Sequence, residues 1–392
     1  MMPCCIAYID VPVVAQAVYW LALGALVYVY VGYPVLLAAV APFHKRRRQC
    51  PGYCPSMSVV IPAYNEAGHI GQKLAQTLAL DYPADKLEVL VVSDHSSDGT
   101  NAIVESCRDP RVRLIRTRER KGKTHAQNEG VRRARGEVVV FSDATTVYDR
   151  EALFYLACNY VDPQVGAVSG LYRYVDPNRR SPTELGSITF WNYENMIKRL
   201  QSRIRTLTGC SGCIYSVRRS IYTPLSETAC SDLVEPLQVV KRGYRVVFED
   251  RAVAYEEPTR SAQDEFRMRV RVAAHGIAGV LALAELLKVW KYGWISFQLI
   301  SHKLLRWTVP FLLIALMVSS ALLSARRGYA YVFYAQVLFY MFGLASMLIP
   351  LHRHWKPLGL PLYFCTLNLA TLVSFIKLFR GQRYAIWETV RR

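Results

Sequence analysis

The chain has 392 residues, 52% of them hydrophobic, and a formal charge of +18. A mean hydropathy of +0.12 is too apolar for a typical soluble enzyme of this length, and the apolar residues crowd the two ends. The basic excess admits nucleic acid, anionic lipid or an anionic small substrate as partner, but no zinc-finger spacing, homeodomain or RNP-like motif accompanies it, which argues against a nucleic-acid reader.

Val11–Val40 is nearly uncharged and long enough to cross about 30 Å of hydrocarbon. The start, MMPCCIAYID, has no Lys or Arg, unlike a cleaved signal peptide. The basic cluster Lys45–Arg48 follows the segment, so the positive-inside rule puts it on the cytoplasmic side and the N-terminus outside. Gly32 and Pro34 are expected to bend the helix.

Beyond it, short β-branched runs alternate with helical spacing. Met57–Ile61, Leu87–Ser93, Val112–Arg116 and Val138–Phe141 read as strands. Ile70–Leu78, Asn101–Cys107 and Gly122–Ala134 read as the helices between them. This alternation predicts an α/β domain with a mostly parallel sheet and one large core. A strand at Val165–Leu171, an amphipathic aromatic helix over Glu184–Arg205, a helix opening at Ser231, a strand over Tyr244–Tyr255 and a basic helix over Arg260–Ala274 continue the domain.

Gly276–Leu287 is short for a span and suits an interfacial or buried helix. Trp307–Leu323, Tyr329–Leu348 and Leu358–Phe375 have the length and apolarity of spans. Three such spans would carry the tail outside, whereas its basic residues favour the inside.

The polar clusters fall where an open α/β sheet presents ligands, outside the carboxyl ends of its strands. Asp94 and Asp98 follow one strand, Asp143 follows another, and Asp232 opens a helix. Asp98 also fits a turn or helix cap. A nucleoside-diphosphate substrate would use such acids for base contact, cation-mediated neutralisation of pyrophosphate and proton removal. Lys121, Lys123 and His125 surround Gly122, and Arg267, Arg269 and Arg271 alternate along a helix, both arrangements suited to an anion. Nothing reads GxxxxGK[ST] or GxGxxG, which argues against nucleotide-driven transport and NAD chemistry. Cys210 and Cys213 form a lone CxxC with no second pair, and small-residue packing in a reduced domain is the expectation there.

Taken together, SVVIPAYNE, VVSDHSSDGT, GKTHAQNEG, FSDATT, SGCIYSVRR, SDLVEP and FRMRVRVAAHG resemble, in order and spacing, the motifs of membrane-bound family 2 (GT-A) glycosyltransferases. Cellulose, chitin and hyaluronan synthases are distant relatives of that type. The resemblance covers about Pro55–Gly276. Four positions depart from it. Ser93 replaces the first acid of an aspartate pair, Thr145 replaces the second acid of the Asp-x-Asp metal motif, and Met268 and Val272 replace the Gln and Trp of Gln-x-x-Arg-Trp.

The resemblance implies a GT-A, Rossmann-like nucleotide-diphospho-sugar transferase domain with flanking transmembrane helices. Its parts are a membrane helix in 1–45, the catalytic domain in 55–275, an interfacial or membrane-associated helix in 276–295, about three spans in 300–380 and a basic tail in 381–392. It implies inverting transfer from a nucleotide sugar, expected to be UDP-linked, with Asp232 as catalytic base. Ala63, Tyr64, Glu66, Asp94, Lys123, Asp143 and Arg271 would meet the donor, and Arg267 and Arg269 would join Arg271 as a diphosphate clamp. Mg²⁺ or Mn²⁺ would sit on Asp143 and Thr145, and Trp191, Tyr193, Glu194 and Gly212 would lie on the acceptor side. The implied location is the cytoplasmic membrane, multi-pass, with the catalytic domain in the cytoplasm and no nucleic-acid partner. The missing tryptophan and the few spans favour a lipid-linked acceptor, in exopolysaccharide or envelope glycolipid assembly. A small processive polysaccharide synthase and a non-catalytic membrane scaffold are the alternatives.

Overall fold

A computed structural model of the chain describes residues 11–44, 52–175, 184–257, 262–348 and 359–381. The Lys45–Arg48 cluster and most of the basic tail lie outside the described residues.

Among the described residues eight strands form one sheet: β1 (Met57–Ala63), β2 (Leu87–Ser93), β3 (Val112–Arg116), β4 (Val138–Ser142), β5 (Val147–Tyr148), β6 (Val165–Tyr174), β7 (Ile214–Arg218) and β8 (Arg245–Glu256). Their order is β3-β2-β1-β4-β7-β6-β8-β5. β1 to β4 are mutually parallel where they pair, as βα alternation requires. The other half is mixed: β6 and β8 pair in parallel, whereas β7 runs antiparallel to both β4 and β6, and β5 antiparallel to β8. The alternation breaks there. After β6 the chain runs through the long helix Glu184–Ile204 and returns through a glycine-containing turn, which lays β7 in the opposite direction.

The strands are apolar on both faces, and the period of two sends alternate residues to different cores. Val59, Ile61, Val89, Val91 and Val140 pack on one side, and Val60, Leu90, Val92, Val139 and Phe141 on the other. The chain winds outward from β1 to β3 and comes back beside β1 with β4. The carboxyl ends of β1 and β4 therefore flank a topological switch point, where a ligand crevice opens.

Among the described residues four helices are long and apolar enough to cross a membrane: Val11–Phe43, Trp294–Leu322, Arg327–Ser346 and Gly359–Phe379. In the first, Pro34 has no N–H for the carbonyl of Tyr30, and the helix widens to a π-turn over Tyr28–Gly32. The freed carbonyl accepts a hydrogen bond from the Tyr193 hydroxyl at 3.1 Å. The second begins at Trp294, well ahead of the expected Trp307, and so contains His302, Lys303 and Arg306. The boundary expected at 275/276 falls inside one continuous helix, Ala262–Ala282. Its end stays helical because Val280 and Leu283 pack with Leu233, Leu237, Ile295 and Leu299. Past it, Trp290 is exposed on a short helix.

Candidate active site

The loops after β1 and β2 are stitched together. The Asp94 amide donates to Ala63 O at 2.8 Å, and the Glu66 amide to Thr100 Oγ1 at 2.8 Å. Asp98 accepts from the amides of Ala67 and Thr100, each at 3.0 Å, so it holds the turn into the helix Thr100–Ser106, whose N-cap is Gly99. Buried Asp94 accepts from the amides of Lys121 and Gly122 at 3.0 and 2.7 Å. Gly122 has φ +97°, a left-handed conformation that favours glycine, and it delivers Lys123 as the first residue of the helix Lys123–Arg133. Lys123 then pairs with Asp143, just past β4. The guanidinium of Arg120 stacks 3.7 Å over the Tyr64 ring. Ala63, Tyr64, Glu66, Asp94, Lys123 and Asp143 are thus gathered at the carboxyl ends of β1, β2 and β4.

Behind this corner Lys73 is buried and donates to Thr146 O at 2.6 Å. Burial pushes its ammonium down to about 7, against the pull of Asp143. Thr145 Oγ1 lies 3.4 Å from Glu256 Oε1, an acid that the motifs did not single out. Among the described residues no three His, Cys, Asp or Glu side chains cluster as a metal site. One carboxylate and a neighbouring hydroxyl nonetheless fit a hard cation of the Mg²⁺ or Mn²⁺ type, which takes its remaining ligands from substrate phosphates and water.

Asp232 opens the helix Ser231–Lys241, and its Oδ1 accepts from the Cys230 thiol at 2.9 Å. The loop before it is held by the Lys123–Arg133 helix. Thr124 donates to Ala229 O at 2.8 Å, and Asn128 bonds Leu225 O, the Leu225 amide and the Tyr222 hydroxyl at 2.7 to 3.1 Å. Sequence reasoning noted this Gly-Lys-x-x-Ala-x-Asn run but not that its asparagine positions the Asp232 loop. The Cys230 thiol is within electrostatic reach of Lys123, Asp232 and Lys303, so it lies between the Lys123–Asp143 corner and the Trp294–Leu322 helix.

On that side a cavity of about 520 Å³ runs from Cys230 and Asp232 to Phe339, Phe364 and Leu367 on the membrane helices. Trp191, Tyr193, Glu194 and Arg269 line it, but three of them already have partners. The Tyr193 hydroxyl serves the Tyr30 carbonyl. Glu194 is buried and ion-paired with Arg306. Burial would raise its carboxyl, yet Arg306, His302 and Lys303 hold it well below the usual carboxylate range. Arg269 donates to Glu265 and to the Tyr363 hydroxyl, both at 2.8 Å. The expected arginine clamp therefore divides. Residues at i and i+4 share a helix face, so Arg267 and Arg271 lie together, while Arg269 points the other way into this cavity. Trp191 packs edge-on to Tyr172 with centroids 4.8 Å apart, so it belongs both to the core and to the cavity wall. Cys210 lines the cavity, Cys213 is buried, and neither is in a disulfide.

Glu235, one turn after Asp232, is 1% exposed. Burial raises its carboxyl to about 8, against Arg242 and a backbone contact to Thr223. The folded state then holds a proton that the unfolded state loses near 4.5. Stability falls as pH rises from there to about 8, by on the order of 4 kcal/mol. Glu235→Gln is expected to flatten this slope and raise the melting temperature at pH 8, as thermal unfolding of the detergent-solubilised chain across pH 5 to 8 would register.

The sheet and its switch-point crevice define a GT-A nucleotide-sugar transferase fold. The glycosyl transferase family 2 model matches residues 58–224, and the chain carries a domain of that family. It is 29% identical over 229 residues to the probable glycosyltransferase YdaM of Bacillus subtilis (strain 168), and 27% identical over 229 residues to the poly-beta-1,6-N-acetyl-D-glucosamine synthase of Staphylococcus aureus (strain MSSA476). Each alignment takes in 56% of this chain and 54% of the relative, so the match spans about half the length of these curated relatives. The fold is similar, at a TM-score of 0.70 and 24% identity, to the mannosyltransferase PcManGT from Pyrobaculum calidifontis, solved in complex with GDP-Man and Mn²⁺, over 95% of this chain and 100% of that one.

Proposed function

We propose that the chain is an inverting glycosyltransferase that moves a sugar from a nucleoside-diphosphate donor to an acceptor hydroxyl at the cytoplasmic face of the membrane. The observation that carries this reading is the place of Asp232, between the Lys123–Asp143 corner and a cavity that opens among the membrane helices. Asp94 and Lys123 orient the nucleotide end. A divalent cation held by Asp143 and Thr145 would offset charge on the departing diphosphate. Asp232 removes the acceptor hydroxyl proton while that oxygen forms its bond to the anomeric carbon. The bond to the diphosphate oxygen breaks on the other face, and the nucleoside diphosphate leaves with the electron pair. Arg271, with Arg267 on the same helix face, receives it. UDP is the expected carrier. The poly-N-acetylglucosamine synthase relative supports a second reading, a small processive synthase. The cavity's membrane-facing wall supports the lipid-linked acceptor.

Release of UDP or GDP by the purified full chain in lipid nanodiscs, tested over a panel of nucleotide sugars with Mn²⁺ or Mg²⁺, checks the reading. Donor-selective release supports it. No release from any nucleotide sugar, with lipid extract as acceptor, favours a non-catalytic scaffold. Gly212→Ala is a second check. A Cβ there would stand 2.7 Å from Asp232 Oδ2 and force the carboxylate aside. Displacement by about 1 Å is expected to lower transfer on the order of 10²-fold. Donor affinity, read by calorimetry, should stay unchanged.

A further inference from the structure

Lys123 is ion-paired with Asp143, the one carboxylate that the motif reading leaves for a divalent cation. The two side chains are 17 and 22% exposed, so solvent screens the pair only in part. Both residues stand on fixed backbone. The Gly122 amide, just ahead of Lys123, donates to Asp94 at 2.7 Å, and Lys123 opens the helix Lys123–Arg133. The Asp143 loop is closed by the Thr146 amide, which donates to Asp143 O at 3.3 Å, and by Lys73, whose ammonium donates to Thr146 O at 2.6 Å. What can move is the four-carbon stem of Lys123. Lys73 is buried and also feels the charge of Asp143, so two ammonium groups act on one carboxylate. Thr145 stands where the motif has its second acid, and its hydroxyl adds no charge. A divalent cation on Asp143 would therefore meet the Lys123 ammonium at the same side chain, and like charges that close repel. A diphosphate changes the balance, because its oxygens can engage the ammonium and the cation together.

We propose that Lys123 holds the cation's place on Asp143 and yields it only to the donor: its ammonium moves from the carboxylate to the diphosphate, and Asp143 is then free to ligate the divalent cation. Lys123 is thus a positioning residue that makes cation and nucleotide enter together. The exchange trades one counter-charge for another, so Asp143 is never left unpaired. This rests on the reading of Asp143 as the cation's ligand.

Mn²⁺ binding to the full chain in phosphatidylcholine nanodiscs, read from the electron paramagnetic resonance signal of free Mn²⁺, tests the exchange without turnover. Mn²⁺ alone is expected to bind the wild type weakly, and roughly tenfold or more tighter once UDP or GDP is bound. Lys123→Gln is expected to bind Mn²⁺ alone roughly tenfold tighter than the wild type does, because a repelling charge is gone. Damage to the fold would weaken metal binding rather than strengthen it. Lys123→Arg keeps the charge and should keep the wild-type pattern. Adding Asp143→Asn to Lys123→Gln should abolish the gain, which fixes the site. A Lys123→Gln variant that binds nucleotide but gains no Mn²⁺ affinity overturns the inference, as does a gain that survives Asp143→Asn. Equal Mn²⁺ affinity of the wild type with and without bound nucleotide also overturns it, and that comparison decides if Lys123→Gln does not fold. Nucleotide binding indifferent to Mn²⁺ in every variant contradicts the cation site itself, whereas tight Mn²⁺ binding at Asp143 without nucleotide contradicts the exchange alone. Binding as expected without any sugar transfer contradicts only the catalytic reading.

Discussion

Asp232→Asn is expected to lower sugar transfer by about 10² to 10⁴-fold while donor affinity stays within about twofold. Asparagine keeps the shape of the side chain and the oxygen that accepts from the Cys230 thiol, so the turn into the Ser231–Lys241 helix is preserved. What it loses is a basic oxygen for the hydroxyl proton. The donor contacts proposed for Asp94, Lys123 and Asp143 come from separate loops and do not depend on it. Rapid-quench measurement of labelled-sugar transfer, with calorimetric donor binding on the same preparation, separates the two effects. A variant that transfers normally removes Asp232 from the role of base. One that loses donor binding as well places it at the nucleotide.

Arg306→Ala is expected to destabilise the fold by about 3 to 5 kcal/mol, because it leaves the Glu194 carboxylate buried without its principal partner. Glu194 ties together more than one pair. His302 Nε2 lies 3.4 Å from it, His302 Nδ1 contacts Gln201 and Thr208, and Gln201 donates to the Tyr33 hydroxyl at 2.7 Å. That network joins the first membrane helix, the Glu184–Ile204 helix and the Trp294–Leu322 helix. Adding Glu194→Gln to Arg306→Ala should recover most of the loss, since a neutral amide carries a smaller desolvation cost than an unpaired charge. Thermal unfolding of both single variants and the double variant gives the coupling. Equal stability of Arg306→Ala and the wild type would mean that the pair carries no net weight.

The gathering of Asp94, Lys123 and Asp143 at the strand ends was legible because their chemistry is local. A strand, a polar turn and a glycine-lysine helix start each occupy a few consecutive residues, and the βα alternation alone puts their ends on one edge. The cavity was less legible because its wall is assembled from distant helices. His302, Lys303 and Arg306 were left out when the span was begun at Trp307, where hydropathy is uninterrupted. The signal was present, since ionisable residues inside an otherwise apolar helix mark a buried or functional face. Arg269 shows the limit of counting charges along a segment. Alternate residues on a helix face nearly opposite ways, so three arginines at alternate positions cannot all clamp one diphosphate. The antiparallel β7 was hidden for a related reason, since strand direction depends on where the intervening helix packs, and residues 208–217 record only the turn.

The most direct test is the fate of a labelled sugar. The full chain in nanodiscs, given a labelled nucleotide-sugar panel, divalent cation and lipid extract as acceptor, is predicted to move label into the organic phase, and Asp232→Asn is predicted to stop it. Label that remains in intact nucleotide sugar with every donor would contradict the account.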